Sequence, residues 1–141
     1  MPSFHDSTSA AAPPEEVWKL LYDPGRFPDW WAGIDTVEPG AEPADPDASV
    51  SYTIYLSERP DFPMPQRLQT VREDRRVVVS CLITDLRFAW QLESLEAGTA
   101  TRISVHVDVP TREAHLLDTE REIITASLHR LATLASATSR S

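Results

Sequence analysis

The period of the apolar residues changes once along this chain, near residue 112, and this change restricts the folds that the chain can adopt. In LRFAWQLES, every second residue from Leu86 to Leu92 is apolar, which is typical of a β-strand with one covered face. From Leu116 to Ala135, apolar residues recur at about 100° per residue and form one stripe of a long helix. The pattern therefore predicts one-sided strands followed by a single amphipathic helix.

Earlier segments complete this arrangement. SVSYTIYL (49–56) and TATRISVHVDVP alternate in the same way, and QRLQTVRE and RRVVVSCLI are separated by Glu73-Asp74 as in a hairpin. PPEEVWKLLYDPG predicts a helix, with Pro14 in its first turn and Asp23-Pro24-Gly25 at its end. Residues 3–12 predict a short opening strand, and the Pro-rich segments 39–48 and 57–65 predict loops.

The predicted order is strand, helix, several antiparallel strands and a long helix. The simplest packing lays the last helix across the apolar face of one curved sheet. At 141 residues, we expect one domain over 1–141, with 136–141 as a frayed tail.

The composition favours a cytoplasmic protein without stable membrane insertion. No apolar run approaches the roughly 20 residues of a membrane span, and the N-terminus lacks a secretory pattern. The single cysteine, Cys81, excludes an internal disulfide. A monomer and a homodimer both remain open.

The net charge of −9 argues against nucleic acid and anionic membranes as partners, because both require clustered Lys and Arg. The acidic residues are dispersed, which favours a role in solubility over an acidic docking surface.

The sequence contains no standard catalytic motif, and it predicts neither a metal nor a cofactor. GxGxxG, GxxxxGK[ST], HExxH and GxSxG are all absent. The four histidines lie in separate elements without ligand spacing. Cys81 shares a strand face with Val77, Val79 and Ile83, so we interpret it as a buried, inert thiol. His106 alternates with polar residues and is predicted to lie on the outer face.

Glu120 is the exception among the polar residues. It falls near the middle of the apolar stripe of the long helix, between Leu117 and Ile124. A carboxylate there must be paired, solvated or protonated. One interpretation leaves Glu120 in solvent or paired with an arginine. The other makes it a polar anchor in an apolar cavity, with a raised pKa that suits a general acid.

Three segments together resemble the polyketide cyclase/dehydrase and lipid-transport family, within the START-like or Bet v 1-like (SRPBCC) superfamily. They are APPEEVWKLLYDPGRFPDWW, GTATRISVHVDVP and LHRLATLA, and the resemblance covers nearly the whole chain. It implies an α+β helix-grip fold, in which a curved antiparallel sheet wraps around the C-terminal helix and encloses a cavity for hydrophobic ligands. The chain departs from many members, which carry Gly-Pro before the last helix, because it reads Val109-Pro110-Thr111 there.

The resemblance leaves three functions open. The first is binding of a small hydrophobic molecule such as a lipid, polyketide or aromatic metabolite. The second is a polyketide aromatase/cyclase or dehydratase, with Glu120 as the best catalytic candidate. The third is a protein-interaction domain with a filled core. The absence of a visible acid/base pair favours binding over catalysis. Tyr52, Glu120 and Ser127 are the candidate polar groups of a pocket. The predicted pocket residues are Trp30, Trp31, Tyr52, Ile54, Leu68, Phe88, Trp90, Leu92, Leu117, Glu120, Ile124 and Leu128.

The segment DPGRFPDWW places Trp30 and Trp31 side by side after the first helix. Adjacent residues of an extended segment point to opposite sides. We therefore predict that one tryptophan packs inward near the cavity and the other covers the outer side or a loop. The sequence does not assign the two positions.

Overall fold

A computed structural model describes residues 2–40 and 49–139 of the chain. Within them, the three α-helices are α1 (Pro14–Leu21), α2 (Phe27–Trp30) and α3 (Leu117–Ser139), and 3-10 turns occupy Pro24–Arg26, Glu96–Gly98 and Thr111–Leu116. The strands are β1 (Ser3–Ala10), β2 (Ile34–Pro39), β3 (Ser49–Leu56), β4 (Arg59–Val71), β5 (Arg76–Cys81), β6 (Arg87–Leu95) and β7 (Ala100–Asp108).

The seven strands form one antiparallel sheet in the order β1-β7-β6-β5-β4-β3-β2. The strands β3 to β7 follow one another as hairpins, and β1 returns to the far edge beside β7. The 23-residue helix α3 packs against β1, α1 and α2. This arrangement confirms the predicted helix-grip fold.

The core lies between the sheet and the buried stripe of α3. Inward residues of β6 and β7 alternate as predicted, with Trp90 and Ile103 fully buried. On α3, the residues Ile124, Leu128 and Leu131 belong to the same apolar cluster. Burial of these side chains contributes roughly 1.5–3 kcal/mol each to stability.

The Pro-rich segment 57–65 is not a loop, as the sequence predicted, because β4 already begins at Arg59. Proline lacks an N–H and is therefore restricted to unpaired strand edges. Pairing between β4 and β5 begins only at Gln66, so Pro60 and Pro63 lie beyond the end of β5. One side of β4 is free of a strand partner there, which accommodates the prolines.

The start of the last helix also differs from the prediction. A 3-10 turn occupies Thr111–Leu116, and Glu113 within it has non-helical angles (φ −111°, ψ 17°), so α3 begins at Leu117 instead of near residue 112. At the other end, α3 continues to Ser139. Residues 136–139, predicted as part of a frayed tail, are therefore helical, whereas 140–141 lie outside the described residues.

Two smaller predictions need correction. Strand β5 ends at Cys81, so Ile83, predicted on the same strand face as Cys81, instead lies exposed in the following turn. Val50, which the alternation of SVSYTIYL places on one face with Tyr52 and Ile54, is also exposed, whereas those two residues are buried. The predicted loop 39–48 falls largely outside the described residues, although Pro39 still belongs to β2.

Among the described helices, none is long and apolar enough to cross a membrane.

Candidate functional site

A cavity of about 330 Å³ opens between the sheet and the beginning of α3. It lies where the β3–β4 turn, the end of β5, the start of β6 and the segment after α2 come together. Its wall is mainly apolar and aromatic. The lining residues are Trp31, Ala32, Gly33, Ile34, Ile54, Leu56, Glu58, Met64, Gln66, Cys81, Leu86, Phe88, Thr119, Glu120, Glu122 and Ile123.

Two aromatic rings form a corner of the cavity wall. The ring centroids of Trp31 and Phe88 are 4.9 Å apart, and the ring planes meet at 87°. Trp31 takes this position because α2 ends at Trp30 and the backbone of Trp31 is already extended (φ −82°, ψ 110°). Gly33, with φ +89°, then turns the chain into β2, a conformation that favours glycine.

A polar row crosses the inner face of the sheet at the cavity. The strand register pairs Tyr52 of β3 with Gln66 of β4, and Gln66 with Cys81 of β5. Directly opposed residues share a face of the sheet, so the three side chains lie side by side. Gln66 and Cys81 line the cavity, and all three residues are buried.

Two polar atoms of this row lack partners within the described part of the chain. The Tyr52 hydroxyl and the Gln66 amide oxygen Oε1 are buried without a hydrogen bond. Burial, with a smaller contribution from Cys81, raises the pKa of the Tyr52 hydroxyl far above its usual value, so the hydroxyl stays neutral. Buried polar groups are normally hydrogen-bonded, and of these two side chains only that of Gln66 lines the cavity, so Gln66 is the one that a bound molecule could contact.

Glu120 lies in the first turn of α3 and lines the same cavity. Burial raises the pKa of its carboxyl group to about 7, since desolvation disfavours the charged form. The described residues supply no hydrogen bond or ion pair to it. The interpretation that left Glu120 in solvent or paired with an arginine disagrees with this environment. The other interpretation, in which Glu120 acts as a general acid, stays a prediction.

The predicted pocket residues separate into two groups. Trp31, Ile54, Phe88 and Glu120 line the cavity. Leu117 is half-buried against the apolar core, while the others lie within that core instead of on the cavity wall: Trp30, Tyr52, Leu68, Trp90, Leu92, Ile124 and Leu128. Contact with a ligand stays a prediction for every member of both groups.

Ser127, the remaining candidate polar group, connects two elements. Its hydroxyl donates to the Ile123 carbonyl (2.7 Å) and accepts from the Ala32 N–H (2.9 Å). Ser127 is completely buried and does not line the cavity. Its position next to Ala32 nevertheless holds one wall of the cavity against α3.

The prediction that the two tryptophans point to opposite sides was wrong. Trp30 is 0% exposed and Trp31 is 5% exposed, and their rings stack with centroids 5.3 Å apart. Opposite directions require an extended segment, but Trp30 is the last residue of α2. Trp31 lines the cavity, while the Trp30 indole Nε1 donates to the Leu20 carbonyl at the end of α1 (2.9 Å).

Sequence reasoning missed several cavity residues. Gln66 could have been found from the alternation of β4, since it stands two residues before the inward Leu68. Cys81 was recognised as buried, but nothing in its strand pattern distinguishes a cavity wall from core. Met64 follows the same alternation of β4, since it stands two residues before Gln66 and opposite Ile54. Glu58 and Glu122 carry no such signal, because Glu58 lies in the β3–β4 turn and Glu122 is an exposed residue of α3.

Other polar residues lie away from the cavity. The His106 side chain is exposed and contacts Asp108 (3.1 Å), which agrees with the predicted outer face. Within residues 2–40 and 49–139, no group of three His, Cys, Asp or Glu side chains could hold a metal ion.

A sheet that wraps around a long helix with a cavity beside it defines the helix-grip class of proteins. Comparison of the chain with known proteins identifies its family. The family model described as polyketide cyclase/dehydrase and lipid transport matches residues 1–136. The chain therefore belongs to this family. No curated protein matches its sequence.

Solved structures show the same fold at low sequence identity. The Zhui aromatase/cyclase from Streptomyces sp. R1128 matches with a TM-score of 0.81 and 16% identity, over 95% of this chain and 93% of that one. One half of the di-domain ARO/CYC BexL from the BE-7585A biosynthetic pathway matches with a TM-score of 0.75 and 12% identity, over 94% of this chain and 46% of that one. A START superfamily protein from Mycobacterium smegmatis matches with a TM-score of 0.66 and 14% identity, over 98% and 97% of the two chains.

Proposed function

We propose that the protein binds a small, mainly apolar organic molecule in the cavity between the sheet and α3. The observation that carries the proposal is the cavity itself, which is walled by Trp31, Ile54 and Phe88 and is also lined by Gln66, whose buried amide oxygen has no partner in the described structure. Apolar walls with a few placed polar groups are characteristic of ligand sites. The family description, which includes lipid transport, supports the same function.

The dimensions of the cavity favour a small ligand. A volume of about 330 Å³ lies near the lower end of the roughly 300–1,000 Å³ seen for ligand pockets. A compact aromatic or alicyclic body fits such a space, whereas a lipid with two long chains does not. The existence of this cavity also weighs against an interaction domain with a filled core.

Filling the cavity provides a direct test. Ile54→Trp adds bulk to the wall, and Leu82→Trp places the same residue on an exposed turn outside the cavity as the matched control. Binding of the neutral fluorescent probe N-phenylnaphthylamine is titrated for each variant. We expect the wild type and Leu82→Trp to bind alike and Ile54→Trp to bind at least about tenfold more weakly, since its cavity is occupied.

Met64→Trp is the second filled variant in case Ile54→Trp does not fold, because Met64 lines the same wall and is less buried. Thermal unfolding checks that each variant is folded. Native mass spectrometry of the purified wild type adds an independent measurement of a bound molecule. A wild type that binds no probe and carries no bound molecule would overturn the proposal.

A second candidate function, a polyketide aromatase/cyclase or dehydratase activity, is favoured by one observation. Glu120 combines contact with the cavity and a carboxyl pKa of about 7, which suits proton transfer at neutral pH. The aromatase/cyclases among the structural neighbours support the same candidate. Turnover of a polyketone by the wild type that is lost in Glu120→Gln, with binding retained, is the expected signature. Unchanged turnover would remove Glu120 from the mechanism.

A further inference from the structure

The polar part of the cavity wall is dominated by hydrogen-bond acceptors. Glu58, Glu120 and Glu122 contribute carboxylates, and Gln66 contributes its amide oxygen. Among the described residues that line the cavity, none is Arg, Lys or His. The side chains there that could donate are Trp31, through its indole N–H, and Thr119 and Cys81, besides the Gln66 amide nitrogen. The wall is therefore complementary to a ligand that donates hydrogen bonds.

One polar residue of the cavity wall, Gln66, is buried inside the fold. It is only 4% exposed, its amide oxygen has no partner in the described structure, and its side chain lines the cavity. Leaving such an acceptor unpaired costs about 1–3 kcal/mol. A surface patch of carboxylates is satisfied by bulk water, whereas this buried acceptor beside the cavity would be stabilised by a donor brought in by a bound molecule.

The charges around the cavity disfavour an anionic ligand. Glu58 and Glu122 are exposed, and Glu120 is partly buried. A carboxylate or phosphate on the ligand would meet like charges and would offer no proton to the acceptors. A cationic ligand would instead supply a positive charge beside the Glu120 carboxylate, because no described side chain pairs with that group. Opposite charges attract more strongly in such a partly desolvated site than in bulk water.

The aromatic corner adds a second feature that favours a cation. The perpendicular rings of Trp31 and Phe88 both border the cavity. The faces of aromatic rings attract cations, with Trp the most effective, and they also pack well against an apolar body. The same wall can thus accommodate both parts of an amphiphilic amine.

We infer that the ligand is a small organic amine, bound as its ammonium ion beside Glu120 with an aromatic or alicyclic body against Trp31 and Phe88. The inference rests on the proposed function, because it identifies the class of ligand for the same cavity. The ammonium group provides several donors for the acceptor-rich wall, and its charge balances the Glu120 carboxylate.

Three probes that share a naphthalene body separate charge from size. Naphthylethylamine is cationic at neutral pH, naphthylethanol is neutral, and naphthylacetate is anionic. Isothermal titration calorimetry with the full chain at neutral pH measures the Kd of each. We expect the amine to bind at least about tenfold more tightly than the acetate, with the alcohol between them.

Two isosteric variants localise the preference. Glu120→Gln should reduce the ratio of acetate Kd to amine Kd by about tenfold, because it removes the paired carboxylate. Glu93→Gln makes the same change in net charge on the exposed outer face of β6, so it should leave the ratio unchanged. A similar loss in both variants would assign the effect to the net charge of the protein and would overturn the inference.

The remaining outcomes separate this inference from the proposed function. Equal or tighter binding of the acetate, or a ratio that survives in Glu120→Gln, would overturn the amine assignment. If the alcohol binds at least as well as the amine, the assignment also fails while the ligand-binding function stands. If none of the three probes binds and the filled-cavity experiment is also negative, both proposals fail.

Discussion

At the scale of single residues, the inward position of Glu120 disfavours the negative charge of its carboxyl group. The helical period places this carboxyl group on the inward side of α3, where burial raises its pKa from 4.5 to about 7. Glu58 and Glu122 line the same cavity, while the neighbouring Arg121 is directed elsewhere, since its guanidinium lies over the ring of Phe4 (5.5 Å). Glu120 therefore has no compensating charge in the described structure.

The raised pKa of Glu120 predicts a pH-dependent stability. Between about pH 4.5 and 7 the folded protein holds a proton that the unfolded chain releases, so the contribution of Glu120 to stability falls as the pH rises. Relative to the wild type, Glu120→Gln should gain up to about 3 kcal/mol at pH 8, and this gain should disappear by pH 4.5. Urea unfolding of both proteins across this pH range measures the difference.

Glu93→Gln is the control for that experiment, because it removes an exposed carboxylate from the outer face of β6. It should change stability little at either pH. A Glu120→Gln variant that is no more stable than the wild type at pH 8 would contradict the proposed burial of the charge.

At the scale of elements, α3 is joined to the rest of the fold by serine hydroxyls as well as by its apolar stripe. Ser127 accepts the N–H of Ala32, and Ser136 accepts the N–H of Ala11 (3.0 Å). Both hydroxyls also donate to the carbonyl four residues earlier on α3. The helix thereby supplies partners to backbone groups at two places where the chain leaves regular structure.

Removing the Ser127 hydroxyl should destabilise this connection. Ser127→Ala leaves the half-buried Ala32 N–H without its partner, which costs about 1 kcal/mol. Thr133→Ala on the exposed side of α3 is the matched control and should change the free energy of unfolding by less than about 0.5 kcal/mol. Chemical denaturation measures both, and equal effects would contradict a specific role for Ser127.

At the scale of the whole molecule, one aromatic cluster connects α2 with the sheet. Trp30 and Trp31 contact each other, and each also contacts Phe27 and Trp90 with ring centroids 5.0–5.4 Å apart. Trp31 additionally contacts Phe88. Through its indole N–H, Trp30 also provides a partner for the last turn of α1. The cluster thus links both N-terminal helices to the concave face.

Because both tryptophans belong to this cluster, we expect both to be important for stability. Trp30→Ala and Trp31→Ala should each cost about 3–5 kcal/mol, whereas Trp18→Ala, at a half-buried position on α1, should cost less. Guanidinium denaturation compares the three variants. A small loss for either cluster residue would restore the idea that one tryptophan covers the outer side.

Much of the architecture could be predicted from sequence patterns. The alternation in 86–93 and 100–109 identified β6 and β7 with the correct inner faces, and the stripe from Ile123 to Ala135 identified α3. These predictions succeeded because strand and helix periods are local properties, and a one-sided apolar pattern requires a covering layer. The family resemblance then pointed to the helix-grip arrangement.

The cavity wall depended on tertiary structure. The sequence alone determined the inward faces of β6, β7 and α3, and it singled out Glu120 as a carboxyl group on the apolar stripe of α3. Only the tertiary structure decided that Trp31 borders the cavity while Trp30 packs behind it, and that Gln66 and Cys81 join the wall. The physical reason is that a cavity forms where the strand ends and the start of α3 diverge. That separation is set by long-range packing and leaves no periodic signal in the chain.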